Sequence, residues 1–561
     1  MTRLDTNLFD YSILFIYFAL VITIGVLARR AIATSEDFLL SGRSLPAWVT
    51  GLAFISANLG AIEILGMAAN GAQYGMSTVH FYWIGAVPAM VFLCLVMMPF
   101  YYGSKVRSVP EYLRRRFSKP AHLWNAVSFA VAAVLNAGVN LYAMSIIIEA
   151  LLGWPTWLAI LIAAVFVLAY ITLGGLSGAI YNEVLQFFVI VAGLIPLVII
   201  GLKDVGGWSG LKEKVTAVGG VGDGHFATWA GTEVGNWSNP LGDWIGIVMG
   251  LGFVLSFGYW TTNFAEVQRA LSAKNLSAAE RTPLIGAFPK IFIPALTIIP
   301  GLIAIAVIPK LGSGEAGAPT YNDAIPSLMN HYLPNGTLGV ALAGLLAAFM
   351  AGMAANVSSF NTVFTYDIWQ TYIKKNFPDH YYLNVGRIVT VLGIVIGVGT
   401  AFIAAGYSNI QNYIQTLFGY FNAPLFATFI IAMFWKRTTP WAGFWGLVAG
   451  TAGAFVFQTF VGPNWGYMYA DRTVGSDTLN AQMVNFYAAM AAFVADAVVT
   501  VIVTLVTPSK PLKELRGLVW GVPDPDAGDP HEGYVRRWWE SPKLLGFTAL
   551  GIVLVLSILF I

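Results

Sequence analysis

Three polar side chains lie inside long apolar stretches of the chain, where they could bind a polar molecule. They are Glu63, Lys290 and Gln415. An ionisable group within an apolar span is costly unless it is paired or hydrated, so it marks a candidate site for a solute or an ion. A carboxylate accepts hydrogen bonds, an ammonium donates them and a carboxamide does both, which is the set that recognition of hydroxyl groups requires.

Each of these residues also has a structural interpretation. Glu63 could anchor a hydrogen bond, Lys290 could extend to the membrane interface, and Gln415 could join two helices. Lys290 and Glu63 could also neutralise each other, which would ease their burial. An enzyme is not expected, because the six histidines are scattered and Cys94, the single cysteine, provides no metal-ligand spacing.

The composition excludes a water-soluble domain. The chain has 561 residues, of which 57% are hydrophobic and 10% charged, and its mean hydropathy is +0.70. Soluble domains carry roughly 25% charged residues. The net charge of +2 gives no reason to expect a nucleic-acid partner. The sequence therefore predicts a protein that faces the lipid bilayer.

Apolar stretches near the length that crosses a bilayer recur along the whole chain. Because backbone polar groups in lipid must be satisfied internally, we expect helices throughout: an all-α polytopic membrane protein with about 14 transmembrane helices, forming a single transmembrane domain over 1–561. The predicted spans are 10–28, 47–75, 82–101, 124–152, 156–173, 182–202, 243–265, 286–309, 337–366, 386–405, 410–435, 440–461, 484–506 and 544–561.

The orientation follows from the basic residues. If the N-terminus lies outside, most of the 30 Lys and Arg residues fall in the loops that then lie inside. Both termini are thus predicted outside. No cleavable signal precedes the first span, so we expect a multi-pass protein of the cell membrane. The oligomeric state cannot be inferred from hydropathy.

Two spans look interrupted, about 200 residues apart. The segment Ser56–Gly75 places Asn58, Glu63 and several glycines in one apolar passage, and the segment Leu255–Asn263 is followed by Glu266. Broken helices at matching places in two halves indicate the binding site of a transporter with inverted repeats. The glycines alone could instead serve close helix packing.

At these residues the sequence resembles the sodium/solute symporter family, in its sodium/sugar (glucose/galactose) cotransporter branch. The similarity extends from about residue 8 to 460. The motifs that carry it are Glu36–Pro46, Ser56-Ala57-Asn58, Gly66-Met67, Gly174-Gly175-Leu176-Ser177 with Glu183 and Gln186, Gln268-Arg269 with Ala273-Lys274, Phe364–Ile368 and Phe434-Trp435-Lys436-Arg437.

The resemblance implies a leucine-transporter-like fold of two inverted five-helix repeats, at about 47–202 and 243–435. The peripheral spans would be 10–28, 440–461, 484–506 and 544–561. It also implies ion-coupled symport of a small polar solute by alternating access, most readily a sugar such as glucose or galactose. A proton-coupled or uncoupled carrier of a monocarboxylate, polyol or amino acid is the alternative.

The resemblance also assigns solute-binding positions. Lys290 and Gln415 match residues that hydrogen-bond sugar hydroxyls, and Tyr259 matches a tyrosine that stacks under the sugar as an inner gate. Glu63 falls where relatives have a polar sugar contact. Tyr82 stands where sugar-transporting relatives have a glutamate, so the identity of the sugar stays open.

For the coupling ion, the resemblance implies a sodium site with backbone carbonyls from Ser56, Leu59 and Ala348. The two serines that complete this site in relatives are replaced here by Ala351 and Gly352. The site therefore lacks their hydroxyl oxygens.

Glu183 matches a carboxylate on the ion path of relatives. A proton carried by Glu63 or Glu183 is the alternative to sodium, if burial favours the neutral form of either group. No further cofactor is expected, and the partners are the solute, the coupling cation and the lipid bilayer.

Overall fold

The computed structural model describes residues 4–30, 34–104, 106–218, 223–229, 231–234, 241–407, 409–462, 481–522 and 537–560. Within these ranges the regular elements are helices, and the β-type pairing is a single isolated bridge between Leu45 and Ala273. The all-helical prediction is confirmed. Residue 561 of the last predicted span lies outside the described residues.

Eleven described helices are long and apolar enough to cross a membrane, and a bent pair brings the number to 12. The 11 are Leu8–Arg29, Ile62–Tyr102, Lys119–Leu152, Gly175–Asp204, Leu276–Val307, Thr337–Ile373, Asp379–Ala404, Ile410–Phe434, Pro440–Val461, Gln482–Val506 and Pro542–Leu559. The bent pair is Gly246–Thr262 and Phe264–Leu271, and two shorter apolar helices are Ala47–Asn58 and Thr156–Ala169.

The helices differ strongly in how far the protein encloses them. In Thr337–Ile373, 94% of the most apolar window is buried inside the protein. In Leu8–Arg29, Pro440–Val461 and Pro542–Leu559 the corresponding share is 22%. Thr337–Ile373 is therefore a central helix, whereas the other three expose apolar side chains on the outside of the bundle.

The first broken helix consists of Ala47–Asn58, Ile62–Gly66 and Met67–Tyr74. The break begins at Leu59, whose ψ of 41° leaves the helical region. Next to it, a Cβ added at Gly60 would lie 2.8 Å from Oδ1 of Asn140, so glycine permits close approach of the neighbouring helix. The break exposes helix-end backbone groups inside the bundle.

The second broken helix is the bent pair Gly246–Thr262 and Phe264–Leu271, with an angle of 48° between its halves. Asn263 between them is extended, with φ −70° and ψ 111°. Its side-chain Oδ1 accepts a hydrogen bond of 3.0 Å from the N–H of Ala265 and so caps the new helix start. Glu266 lies in the first turn of that half.

Gly175 divides a continuous run of helix into two parts. The run extends over Thr156–Asp204, and Gly175 interrupts it with φ 52° and ψ −155°. A Cβ there would lie 2.6 Å from Cδ2 of Phe38. The interruption agrees with the sequence-based division into the spans 156–173 and 182–202.

Glycines bring Met67–Tyr74 and Pro294–Val307 into backbone contact. A Cβ at Gly71 would lie 2.6 Å from the carbonyl oxygen of Ile298, and one at Gly301 would overlap the carbonyl oxygen of Ala68. Gly71 therefore serves helix packing, the alternative that the sequence left open, and the chain breaks elsewhere.

We expect Gly301→Ala to destabilise the protein by about 1–3 kcal/mol, because its methyl group must push two backbones apart. The measurement is the Tm in detergent. Gly399→Ala is the matched control, since a Cβ there meets nothing within 4 Å. Equal Tm values for the two variants would contradict this account of the packing.

Candidate solute-binding site

A cavity lies between the two broken helices and the helices Leu276–Val307 and Ile410–Phe434. The empty space inside it, including the part that is open to solvent, has a volume of ≈ 510 Å³. Its polar lining comes from Asn58, Glu63, Ser256, Lys290, Gln411 and Gln415. Its aromatic lining comes from Phe81, Tyr259, Trp260 and Phe418. The sequence-predicted residues Glu63, Tyr259, Lys290 and Gln415 thus border one space.

Lys290 is fully buried and lies inside the bundle, not at a membrane interface. Its Nζ forms an ion pair of 2.6 Å with Oε1 of Glu63 and donates a hydrogen bond to Oδ1 of Asn58. The same Nζ lies 4.8 Å from the ring centre of Tyr82 and 5.3 Å from that of Trp260. A carboxylate, an amide and two aromatic faces therefore stabilise the buried ammonium.

Three buried oxygen atoms at the cavity have no hydrogen-bond partner among the described residues. They are Oε2 of Glu63 and the Oε1 atoms of Gln411 and Gln415. A buried acceptor without a partner is unfavourable, so such atoms mark places where a bound molecule can donate hydrogen bonds. Gln411 precedes Gln415 by one helical turn, which places both amides on one helix face.

Tyr259 connects the cavity to a second carboxyl group. Its hydroxyl accepts a hydrogen bond of 3.0 Å from Nδ2 of Asn58 and donates one of 2.6 Å to Oε1 of Glu266. Its ring packs against Phe418, with 4.7 Å between the ring centres. Tyr259 is therefore held at both its polar end and its ring.

Tyr82 does not line the cavity. Its hydroxyl is 3.0 Å from Oγ1 of Thr297, and its ring faces the ammonium of Lys290. Tyr82 therefore contacts Lys290 and not the cavity. Conversely, Asn58 and Gln411 line the cavity, although neither was predicted to bind the solute. The helical spacing to Gln415 was the signal for Gln411.

The residues expected at the cation site lie at the first break and in the central helix. Ser56 is fully buried and its Oγ has no partner, and Ala351 is fully buried. The side chain of Asn140 lies against Gly352. A Cβ at Gly352 would overlap Oδ1 of Asn140 and lie 2.9 Å from its Cγ, so Asn140 occupies the space that a side chain at position 352 would need. Oδ1 of Asn140 also accepts a hydrogen bond of 3.0 Å from the N–H of Ala61.

Glu183 is paired with Arg269, which the sequence did not show. Both side chains are fully buried, and the guanidinium contacts the carboxylate through Nη2 to Oε1 and through Nε to Oε2, the latter at 3.2 Å. Arg269 also donates a hydrogen bond of 2.8 Å to the carbonyl of Ala265. The pair ties Gly175–Asp204 to the second broken helix.

The chain is similar to known membrane transporters. The sequence profile of the sodium:solute symporter family matches residues 38–450. A sodium/glucose cotransporter of Vibrio parahaemolyticus is 29% identical over 78% of this chain and 83% of its own length. Human sodium/glucose cotransporter 4 is 29% identical over 92% of this chain and 79% of its own length. Human sodium/myo-inositol cotransporter 2 is 28% identical over 79% of this chain and 68% of its own length.

Solved structures support the fold. The substrate-bound, outward-open structure of a Na⁺-coupled sialic acid symporter matches with a TM-score of 0.72 at 19% identity, covering 90% of this chain and all of that one. A nucleobase-cation-symport-1 family transporter in a closed conformation matches with a TM-score of 0.50 at 14% identity, covering 86% of this chain and 97% of that one. This multi-pass membrane protein belongs to the sodium:solute symporter family.

Proposed function

We propose that the chain is a secondary active transporter, and not an enzyme, that carries a sugar of the glucose or galactose kind together with a cation by alternating access. The observation that carries the proposal is the cavity, which Lys290, Glu63, Gln411 and Gln415 line together with Tyr259. The names of the relatives, which are sodium/glucose and sodium/myo-inositol cotransporters, support the same solute class.

The chemistry of the cavity suits a polyhydroxylated molecule. Hydroxyl groups both donate and accept hydrogen bonds, and the unpartnered oxygens of Glu63, Gln411 and Gln415 can accept hydrogen bonds from them. The rings of Tyr259 and Trp260 can cover the apolar C–H face of a pyranose. A carboxylate solute fits less well, because the free oxygen of Glu63 would repel it.

We also propose the arrangement in the membrane. If each broken helix is one span, Gly175 separates two spans and Ile62–Tyr102 is divided after Tyr74, the described helices correspond to 14 spans. The repeats would be 47–202 and 243–435, with both termini outside the cell membrane. Protease or labelling access at the termini of intact cells tests the orientation.

The direct test of transport is uptake of labelled glucose and galactose into proteoliposomes, with sodium and pH gradients imposed separately. We expect accumulation that stops when the cation gradient is collapsed. Empty liposomes provide the baseline. Uptake of neither sugar under either gradient would overturn the sugar assignment.

Sodium is the coupling ion that the family and the relatives' names support. We propose that Oδ1 of Asn140 supplies the side-chain oxygen that Ala351 and Gly352 lack. It lies where a side chain at Gly352 would project, beside the first break. An amide oxygen and backbone carbonyls are ligands that hard cations accept.

We expect Asn140→Ala to weaken the apparent affinity for sodium by about tenfold, which corresponds to about 1.4 kcal/mol. Asn140→Asp keeps the oxygen and should retain sodium dependence. The measurement is the sodium concentration for half-maximal uptake. Asn125→Ala, a buried asparagine elsewhere on the same helix, is the control; an equal effect there would remove the special role of Asn140.

A further inference from the structure

The charged side chains around the cavity do not balance. Three carboxyl groups, those of Glu63, Glu183 and Glu266, share the region with two cations, Lys290 and Arg269. Glu63 pairs with Lys290, and Glu183 pairs with Arg269. Glu266 forms no ion pair within 4.0 Å among the described residues. One further positive charge would make the cluster neutral.

Glu266 is well enclosed. Its side chain is 2% exposed, its Oε1 accepts the hydrogen bond from Tyr259, and its Oε2 is buried without a partner. The charged groups close enough to act on it are Arg269, Lys290 and Glu183. A buried carboxylate without its own cation is unfavourable, whereas the protonated carboxyl can be accommodated.

Other polar groups near this half of the second broken helix are directed elsewhere. Tyr101 donates its hydroxyl to the carbonyl of Thr261, and Tyr102 donates to the carbonyl of Ala273. Neither is directed at Glu266. A proton on the carboxyl is therefore the simplest neutralising charge that the surroundings allow.

We propose that Glu266 binds one proton and that this proton is exchanged in each transport cycle. The proposal rests on the proposed symport and adds a second cation to it. A carboxylate oxygen takes a proton from water on one side to form O–H, and that bond breaks to return the proton to water on the other side. No other reactant is needed.

A chain of hydrogen bonds links the proton to the solute. Lys290 donates to Asn58, Asn58 donates to Tyr259, and Tyr259 donates to Glu266. A solute hydroxyl that engages Lys290 competes with Asn58, which loosens the hold on Tyr259. Once Tyr259 moves, Glu266 loses its donor and becomes accessible to water. Solute occupancy and proton exchange are thereby coupled.

The experiment uses proteoliposomes with a pH indicator in the lumen and the same sodium concentration on both sides, so that sodium is present but supplies no gradient. Added glucose or galactose should acidify the lumen as labelled sugar enters. In Glu266→Gln the acidification should disappear while sugar counterflow persists, and in Glu266→Asp it should return in part. Asp496→Asn is the control, because Asp496 is a buried carboxyl held by Thr428 and Thr500 away from the cavity.

Sugar movement without acidification in the unaltered protein, or acidification that persists in Glu266→Gln, would overturn the proposal. If no sugar moves, the proposed function fails, and a separate readout still decides the proton site. The infrared absorption of protonated carboxyl groups, compared over a pH titration, should lose one component in Glu266→Gln. An unchanged spectrum would show that Glu266 holds no proton.

Discussion

Replacing Lys290 with methionine is expected to abolish concentrative uptake and to lower the stability of the protein by about 3–5 kcal/mol. The change leaves Glu63 in the bundle without its cation, and removal of one partner of a buried pair is strongly destabilising. It also removes the donor to Asn58 and the cation over the Tyr82 ring. Sugar uptake in proteoliposomes and the Tm in detergent measure the two effects.

The double variant Lys290→Met/Glu63→Gln separates binding from folding. With both charges removed, the stability should recover most of the loss, because no uncompensated charge remains. Uptake should remain at least tenfold reduced, since the solute has lost both charged contacts. Full uptake in the double variant would show that the pair is structural and that the solute binds elsewhere.

The sequence was sufficient to find the ion pair at the candidate site. Glu63 and Lys290 stood out because charged groups are rare in apolar spans, and their predicted mutual neutralisation is confirmed by the 2.6 Å ion pair. Burial cost is a property of the residue type and its apolar neighbours along the chain. A single sequence therefore shows it without knowledge of the packing.

Contacts between distant segments could not be found in this way. Asn140 lies beside Gly60 and Gly352 only because three helices meet there, and no feature of its own helix indicates this. Glu266 was noted in the sequence but gained its importance from Tyr259, which the extended conformation of Asn263 brings within reach. Such relations depend on the bend and not on residue type.

The breaks themselves were predicted approximately. The sequence pointed to the glycine-containing passage from Ser56 to Gly75, whereas the structure breaks at Leu59–Ala61 and keeps Gly71 in a helix. A glycine that serves close packing and one that permits a break look alike in sequence. Only the backbone of the opposing helix distinguishes the two.

Replacing Arg269 with methionine is expected to be at least as destabilising as the Lys290 change, by about 3–5 kcal/mol, because both partners are completely buried. The guanidinium contacts Glu183 through two nitrogens, so its loss leaves both carboxylate oxygens unsatisfied. It would also leave Lys290 as the sole cation for three carboxyl groups. Chemical denaturation and the Tm are the measurements.

The matched comparison is the exposed pair Lys310 and Glu315, whose side chains are 65% and 57% exposed. Lys310→Met should cost no more than about 1 kcal/mol, because water screens that pair. In Arg269→Met/Glu183→Gln most of the stability should return, which gives a large coupling free energy in the double-mutant cycle. If Arg269→Met were as stable as Lys310→Met, the carboxyl of Glu183 would have to be neutral in the absence of Arg269. The count of three carboxylates against two cations would then be wrong, and the proton could not be assigned to Glu266 on that ground.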